Sequence, residues 1–171
     1  MFKKIILSAC ILLASCTGLP EGVEPVKNFD PDRYLGTWYE IARLDHRFER
    51  GMTHVTADYS LREDGGIRVI NRGYDTESGE WKEAEGKAYF EGSRKEGHLK
   101  VSFFGPFYGS YAVFDLDQYN YQHAFIAGNS TDYLWLLART PSVSDEVKQS
   151  FIDQSRSLGF PVEGLIFVDH E

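Results

Sequence analysis

The sequence predicts an all-β protein: an eight-stranded up-and-down antiparallel β-barrel with one C-terminal α-helix packed outside. Three observations predict it. Apolar and polar residues alternate in eight short runs between residues 36 and 140. Tight-turn residues separate the runs, as at Asp64-Gly65-Gly66, Glu91-Gly92-Ser93 and Gly128-Asn129. A helical period occurs over any useful length only once, after the last run. Closing eight strands into a barrel removes the exposed edges that a flat sheet would present.

The elements follow in order. Asp30-Pro31-Asp32 can start a single helical turn, with Asp as cap and Pro at the first position. The strands are expected at 36–44, 54–62, 66–74, 81–91, 97–104, 109–116, 122–128 and 132–140. A helix follows at about 144–158, capped by Ser144, striped by Val147, Phe151 and Leu158, and stopped by Gly159. A last short strand is expected near Leu165–Val168.

A barrel of eight strands either fills with side chains or holds one small ligand. Small residues on the inward faces favour a cavity. Glu83, Glu85 and Lys87 share one face of the fourth strand, which puts Ala84, Gly86, Ala88 and Phe90 inside. The second strand turns Val55, Ala57, Tyr59 and Leu61 inward. Leu99, Val101 and Phe103 alternate with exposed His98, Lys100 and Ser102, and Ile67, Val69 and Asn71 oppose Arg68 and Arg72. The expected pocket is therefore Ala57, Tyr59, Val69, Asn71, Ala84, Gly86, Ala88, Phe90, Leu99, Val101 and Phe103. An inward Asn71 needs a partner, whether ligand, water or neighbour. Glu40 shares the face of Trp38 and raises the same question, with Lys87 or Arg72 as partners if the register permits. Parity does not orient Tyr111, Val113, Leu134 or Trp135, whose strands are apolar on both faces.

Parity also places the mouth. The loops at 45–53, 75–80, 105–108 and 129–131 share one end. Two of them carry an unusual set: Arg47, Phe48 and Arg50 in the first, Phe104, Phe107 and Tyr108 around the third. Together they can grip an amphipathic ligand, its chain inside and an anionic head at Arg47 or Arg50. The competing reading pairs these arginines with Asp45 and Glu49.

The N-terminus carries a different signal. Lys3 and Lys4 precede an apolar run from Ile5 to Leu13, too short for the roughly 20 residues of a membrane span. Leu13-Ala14-Ser15-Cys16 then resembles the lipobox of bacterial lipoproteins. That resemblance implies a signal peptide at 1–15, acylation of Cys16, a lipidated tether at 16–29 and a folded domain at 30–171. Thr17, where an Asp tends to retain lipoproteins in the inner membrane, leans towards the outer membrane facing the periplasm. Loss of Lys3 and Lys4 takes the formal charge from −8 to −10. That sign argues against nucleic acid and against electrostatic membrane binding, so the lipid anchor must hold the protein. No cysteine remains to form a disulfide once Cys10 leaves and Cys16 is acylated.

Gly36-Thr37-Trp38-Tyr39-Glu40-Ile41-Ala42-Arg43 resembles the signature of the lipocalin family, in particular its bacterial outer-membrane members and the apolipoprotein D-like group. The similarity continues through Val101-Ser102-Phe103-Phe104-Gly105-Pro106-Phe107-Tyr108 and Asp132-Tyr133-Leu134-Trp135, and spans nearly all of 30–170. It implies that Gly36, Trp38 and Arg139 form a structural plug. Barrel closure independently brings the start of the first strand to the end of the eighth. The family's second motif falls at 116–121, where Asp117 and Tyr121 are kept and Leu116 and Gln118 depart from it.

The expected function is a lipid-anchored carrier of a lipophilic or amphipathic small molecule. The resemblance implies a fatty acid such as palmitate, or a lysophospholipid, in storage or transport at the envelope. No cofactor and no metal is expected, because the five histidines lack ligand spacing. No catalytic motif appears, and an enzyme would need a carboxyl with a raised pKa inside the barrel, for which Glu40 is the only candidate. A protein–protein interaction module, or a homodimer through the mouth aromatics, is the third class.

Overall fold

The computed structural model describes residues 18–171, so the expected signal peptide and Cys16 lie outside the described residues. A helical turn α1 (Pro31–Tyr34) leads into β1 (Gly36–Leu44), β2 (Met52–Leu61), β3 (Ile67–Asp75) and β4 (Glu80–Phe90). Then come β5 (His98–Phe104), β6 (Phe107–Leu116), β7 (His123–Ala127) and β8 (Leu134–Ala138). The chain ends with α2 (Asp145–Ser157), a 3₁₀ turn at Val162–Gly164, and β9 (Leu165–Phe167). All pairings are antiparallel between sequence neighbours, with β8 returning to β1 and β1 to β2 to close the barrel. No helix among the described residues is long and apolar enough to cross a membrane.

Each predicted strand is present, with β7 and β8 shorter than expected. Asp30 accepts a hydrogen bond from the Asp32 amide and starts α1, and Ser144 caps α2 through the Val147 amide. α2 packs Phe151 edge-on against Phe125, so the apolar outer face of β7 and β8 is covered by the helix. That settles the two-faced strands: Tyr111, Val113 and Trp135 point into the barrel, and Leu134 lies under α2.

One end is plugged. The Arg139 guanidinium sits 4.0 Å over the Trp38 ring. It donates to the carbonyls of Thr37 (3.0 Å) and Arg33 (2.7 Å), while the Trp38 indole N–H donates to the Tyr34 carbonyl (2.8 Å). Gly36 has φ +94°, and a Cβ there would come within 3.4 Å of the same guanidinium. Asp117 accepts from the amides of Asn120 and Gln122, and the Tyr121 hydroxyl accepts from the Asp30 amide.

Two segments differ from expectation. Residues 18–29, read as a spacer, lie along the barrel instead. Val23 and Phe29 are buried, and Val26 pairs with the backbone of Val113 and Gly97. Three apolar side chains at three-residue intervals outweigh the Pro and Gly content that suggested a free tether. The second difference is the seam. β1 pairs with β2 over only four residues, Gly36–Tyr39. Beyond them β1 turns to β9, and the C-terminal tail fills the parting. The His170 Nε2–H donates to the Glu40 carbonyl (2.8 Å), the His54 amide to the Asp169 carbonyl (2.8 Å), and the His54 Nε2–H to the Glu171 carbonyl (2.9 Å).

Single-residue placements also shift. Leu61, expected inward, is exposed at the closed end where β2 stops. Ser102, expected outside, is buried because a bulge in the β5–β6 pairing folds the turn back and its hydroxyl donates to the Gly105 carbonyl (3.2 Å).

Candidate functional site

The barrel is hollow above its plug. The cavity measures about 110 Å³. One water needs roughly 10–15 Å³ on this scale, so the interior is not packed solid. Val69, Ala88, Leu99, Val101 and Phe103 make apolar walls, and Ala57 and Asn71 face in from β2 and β3. No side-chain hydrogen bond reaches the Asn71 amide among the described residues, so that amide is offered to the cavity.

The floor is three tyrosines. The Tyr34 and Tyr111 hydroxyls are 2.7 Å apart, and those of Tyr59 and Tyr111 are 3.0 Å apart. Three O–H donors share two such contacts, which leaves one donor aimed at whatever occupies the floor. Burial pushes all three phenols above their ordinary range, so they stay neutral donors at any physiological pH. Tyr34 and Tyr111 escape sequence reasoning because one precedes the first strand and the other lies on a strand apolar on both faces.

One wall is ionic. The register of β1 against β8 slips between Glu40 and Ala42, and this bulge brings Arg43 to the same side as Glu40. Arg43 Nη1 lies 2.8 Å from Glu40 Oε1, with both side chains buried. Arg43 also donates to the carbonyls of Glu49 (2.7 Å) and Met52 (3.1 Å), which pins the β1–β2 loop. Glu40 is thus paired with Arg43, not with Lys87 or Arg72; Arg72 is held on the outer face by Asp58 and Glu83. Glu49 turns inward as well. Its carboxylate accepts from the Trp135 indole (3.1 Å) and stands 2.8 Å from His46 Nε2.

One guanidinium serves two buried carboxyls, and the pair divides the labour. Burial, reinforced by the Glu49 charge, holds Glu40 well above the ordinary carboxyl range against the pull of Arg43. Burial also raises Glu49, but His46, the Trp135 N–H and Arg43 together bring it below that range. Of the two, Glu40 is the carboxyl that holds its proton to higher pH. A group whose folded pKa is raised stabilises the fold below its unfolded pKa, and that stability is lost as pH rises towards the folded pKa. The window opens near pH 4.3, the ordinary Glu value (~4.3). In thermal unfolding across this window, the stability of the wild type relative to Glu40→Gln should fall as pH rises.

The predicted pocket residues do not all reach the cavity. Ala57, Tyr59, Val69, Asn71, Ala88, Leu99, Val101 and Phe103 line it. Ala84 is exposed, because β4 pairs with β5 only from Lys87 onward and runs on past it. Gly86 offers no space, since a Cβ there would meet the Phe103 ring at 2.8 Å. Phe90 lies towards the closed end, 6.2 Å from Phe29, with Arg94 over its ring.

At the mouth, Phe48 stacks on Phe104 (6.2 Å) and Arg47 lies over Phe48 (4.7 Å). Phe107 is exposed beside them. Arg50 is tied to Asp45 (2.8 Å), whereas no carboxylate among the described residues pairs with Arg47. Tyr108 turns to the outer face, between Tyr89 and Lys100. No cluster of metal-ligand side chains occurs among the described residues.

Comparison with known proteins agrees with this architecture. The lipocalin-like domain family matches residues 29–170. The outer membrane lipoprotein Blc of Vibrio cholerae serotype O1 is 56% identical over 170 residues, covering 99% of this chain and 99% of that protein. Its Escherichia coli K12 counterpart is 55% identical over 163 residues, covering 94% and 92%. Apolipoprotein D of Bos taurus is 32% identical over 151 residues, covering 84% and 78%. Among solved structures, insecticyanin of the tobacco hornworm Manduca sexta superposes with a TM-score of 0.71 at 20% identity, covering 90% of this chain and 87% of that one.

Proposed function

The chain belongs to the lipocalin family, and from that premise we propose that it is a lipid-anchored carrier of an acyl ligand at the periplasmic face of the outer membrane. The observation that carries this reading is the apolar hollow floored by neutral hydroxyls, in a barrel whose mouth carries exposed Phe48, Phe104 and Phe107. A fatty acid or lysophospholipid matches it by chemistry: the tail meets the aliphatic wall, and the anionic head finds Arg47, the rim arginine without a carboxylate partner. The similarity to two outer membrane lipoproteins supports the location and the anchor.

The energetics are sufficient. Burying a methylene contributes about 0.8 kcal/mol, so a sixteen-carbon tail offers roughly 12 kcal/mol gross. Association and ordering remove much of that, which leaves an affinity on the order of micromolar. Cys16 is the proposed acylation site, with 1–15 removed as the signal peptide. Glu40 is read as a structural charge-balancing group and not a catalytic one, since its carboxyl is engaged by Arg43.

Mass spectrometry of denatured protein purified from cells should release a stoichiometric acyl compound. Soluble protein carrying Cys16→Ala should bind a fluorescent fatty acid and release it when unlabelled fatty acid is added. Protein that copurifies with no lipid and binds no probe would sink the carrier reading.

A further inference from the structure

We propose that the open mouth of the barrel rests on the same membrane that holds the anchor, with Phe48, Phe104 and Phe107 seated among the lipid headgroups. The proposal rests on the acylation of Cys16 put forward above. It starts from the path of residues 18–30. At the closed end the Asp30 amide donates to the Tyr121 hydroxyl. Half way up, Val26 exchanges backbone hydrogen bonds with Val113 and Gly97. Traced back further, the Gly18 carbonyl accepts from the Ser110 hydroxyl at 3.0 Å.

β6 runs from the mouth to the closed end, and Ser110 is three residues from Phe107 at its mouth end. At about 3.3 Å per residue that is roughly 10 Å below the rim. Cys16 is two residues beyond Gly18, and an extended chain spans at most about 3.6 Å per residue. The attachment point is therefore confined to the mouth half of the barrel, because the fold itself clamps residues 18–29. A free spacer would leave the orientation open; a clamped strap does not.

The surface at that end suits a bilayer. Phe48, Phe104 and Phe107 are 49%, 66% and 78% exposed. They form an apolar rim with the Arg47 guanidinium laid over one ring, which is the composition of an interfacial contact. The opposite end exposes Leu61 and Tyr119 beside Arg62, Glu63, Asp64, Arg94 and Lys95, with no comparable set of exposed phenylalanines among the described residues. Asp45, Arg50, Glu77 and Glu80 supply the charges of the mouth connections. The acidic net charge gives no attraction to anionic headgroups, so the acyl chains supply attachment and the rim supplies orientation. The consequence is direct transfer: a lipid tail can pass from bilayer to cavity without crossing water.

The test uses the acylated full chain in vesicles of phosphatidylethanolamine and phosphatidylglycerol. Single cysteines at Phe107→Cys and Tyr119→Cys carry an environment-sensitive fluorophore; Tyr119 is exposed at the closed end. The label at 107 should shift to the blue on reconstitution and be quenched by brominated lipid, while the label at 119 does neither. Protein that floats with the vesicles but keeps the 107 label in water, or quenches the 119 label instead, overturns the docking and leaves the anchor standing. Protein that does not float overturns the anchor and this proposal together. A 107 label already shielded in soluble Cys16→Ala protein assigns the rim to a second copy of the chain, which also overturns it.

Discussion

Arg43→Met is expected to lose about 3–5 kcal/mol of unfolding free energy, the usual result of removing one partner from a buried ionic group. Among the described residues Arg43 is the only cation touching Glu40, and both side chains are buried. Its loss removes the cation beside Glu40, weakens the field that lowers Glu49, and takes a donor from the carbonyls of Glu49 and Met52. Urea unfolding at neutral pH should show the full loss. The deficit should shrink as pH falls through the ordinary carboxyl range (~4.3), because Glu49, whose pKa the cation helps to depress, no longer needs it once protonated. A deficit that ignores pH would mean that Arg43 acts by packing alone. The double variant Arg43→Met with Glu40→Gln should recover part of the stability, since it replaces the carboxyl that has lost its cation by a neutral amide.

Ala57→Trp is expected to abolish acyl binding while the barrel stays folded. Ala57 faces the cavity from β2, between Trp38 on β1 and Asn71 on β3. An indole there occupies the space a tail would use. Overpacking costs about 1–3 kcal/mol of stability, which a domain of this size tolerates. Excluding half of a sixteen-carbon tail removes roughly 6 kcal/mol of gross burial, so affinity should fall by at least about 100-fold. Ala84→Trp provides the comparison. Sequence parity puts Ala84 in the same pocket, but the structure exposes it, and its substitution should leave affinity unchanged. Equal losses from both variants would mean that the cavity extends past the paired end of β5.

These two alanines show how far the sequence reaches. Alternation finds each strand because the side-chain period is strictly two, and Asp, Gly and Asn mark most hairpins. The same rule assigns Ala84 and Ala57 to one interior. It says nothing of where a neighbouring strand ends, and Ala84 loses its cover for that reason. Glycine misleads in a related way. Gly86 reads as empty space, yet Phe103 from the adjacent strand fills it. Small residues report a close approach as readily as a void.

The ionic wall was out of reach for a different reason. Glu40 and Arg43 stand three apart, which parity assigns to opposite faces. One bulged residue reverses the assignment, and no residue type in Glu40-Ile41-Ala42-Arg43 announces it. The plug was legible from both directions: barrel closure and the Gly36, Trp38 and Arg139 set agree on which ends must meet. The strap at 18–29 was legible only in part. Its prolines and glycines read as a linker, and its Val23, Val26 and Phe29 contacts outweigh them.

The seam has a consequence for how the protein is made. β1 is the first strand to leave a ribosome or a secretion pore. Beyond a short pairing with β2 its partners are β8 and β9, and the strip left between β1 and β2 is sealed by Asp169, His170 and Glu171, with His170 130 residues from its partner Glu40. Contacts between the two extremes of a sequence form slowly, because a long loop must close before any gain is realised. The barrel therefore cannot close until residues 165–171 have emerged and joined β1 and β2. On the proposed export route, that wiring keeps the thread open during the crossing.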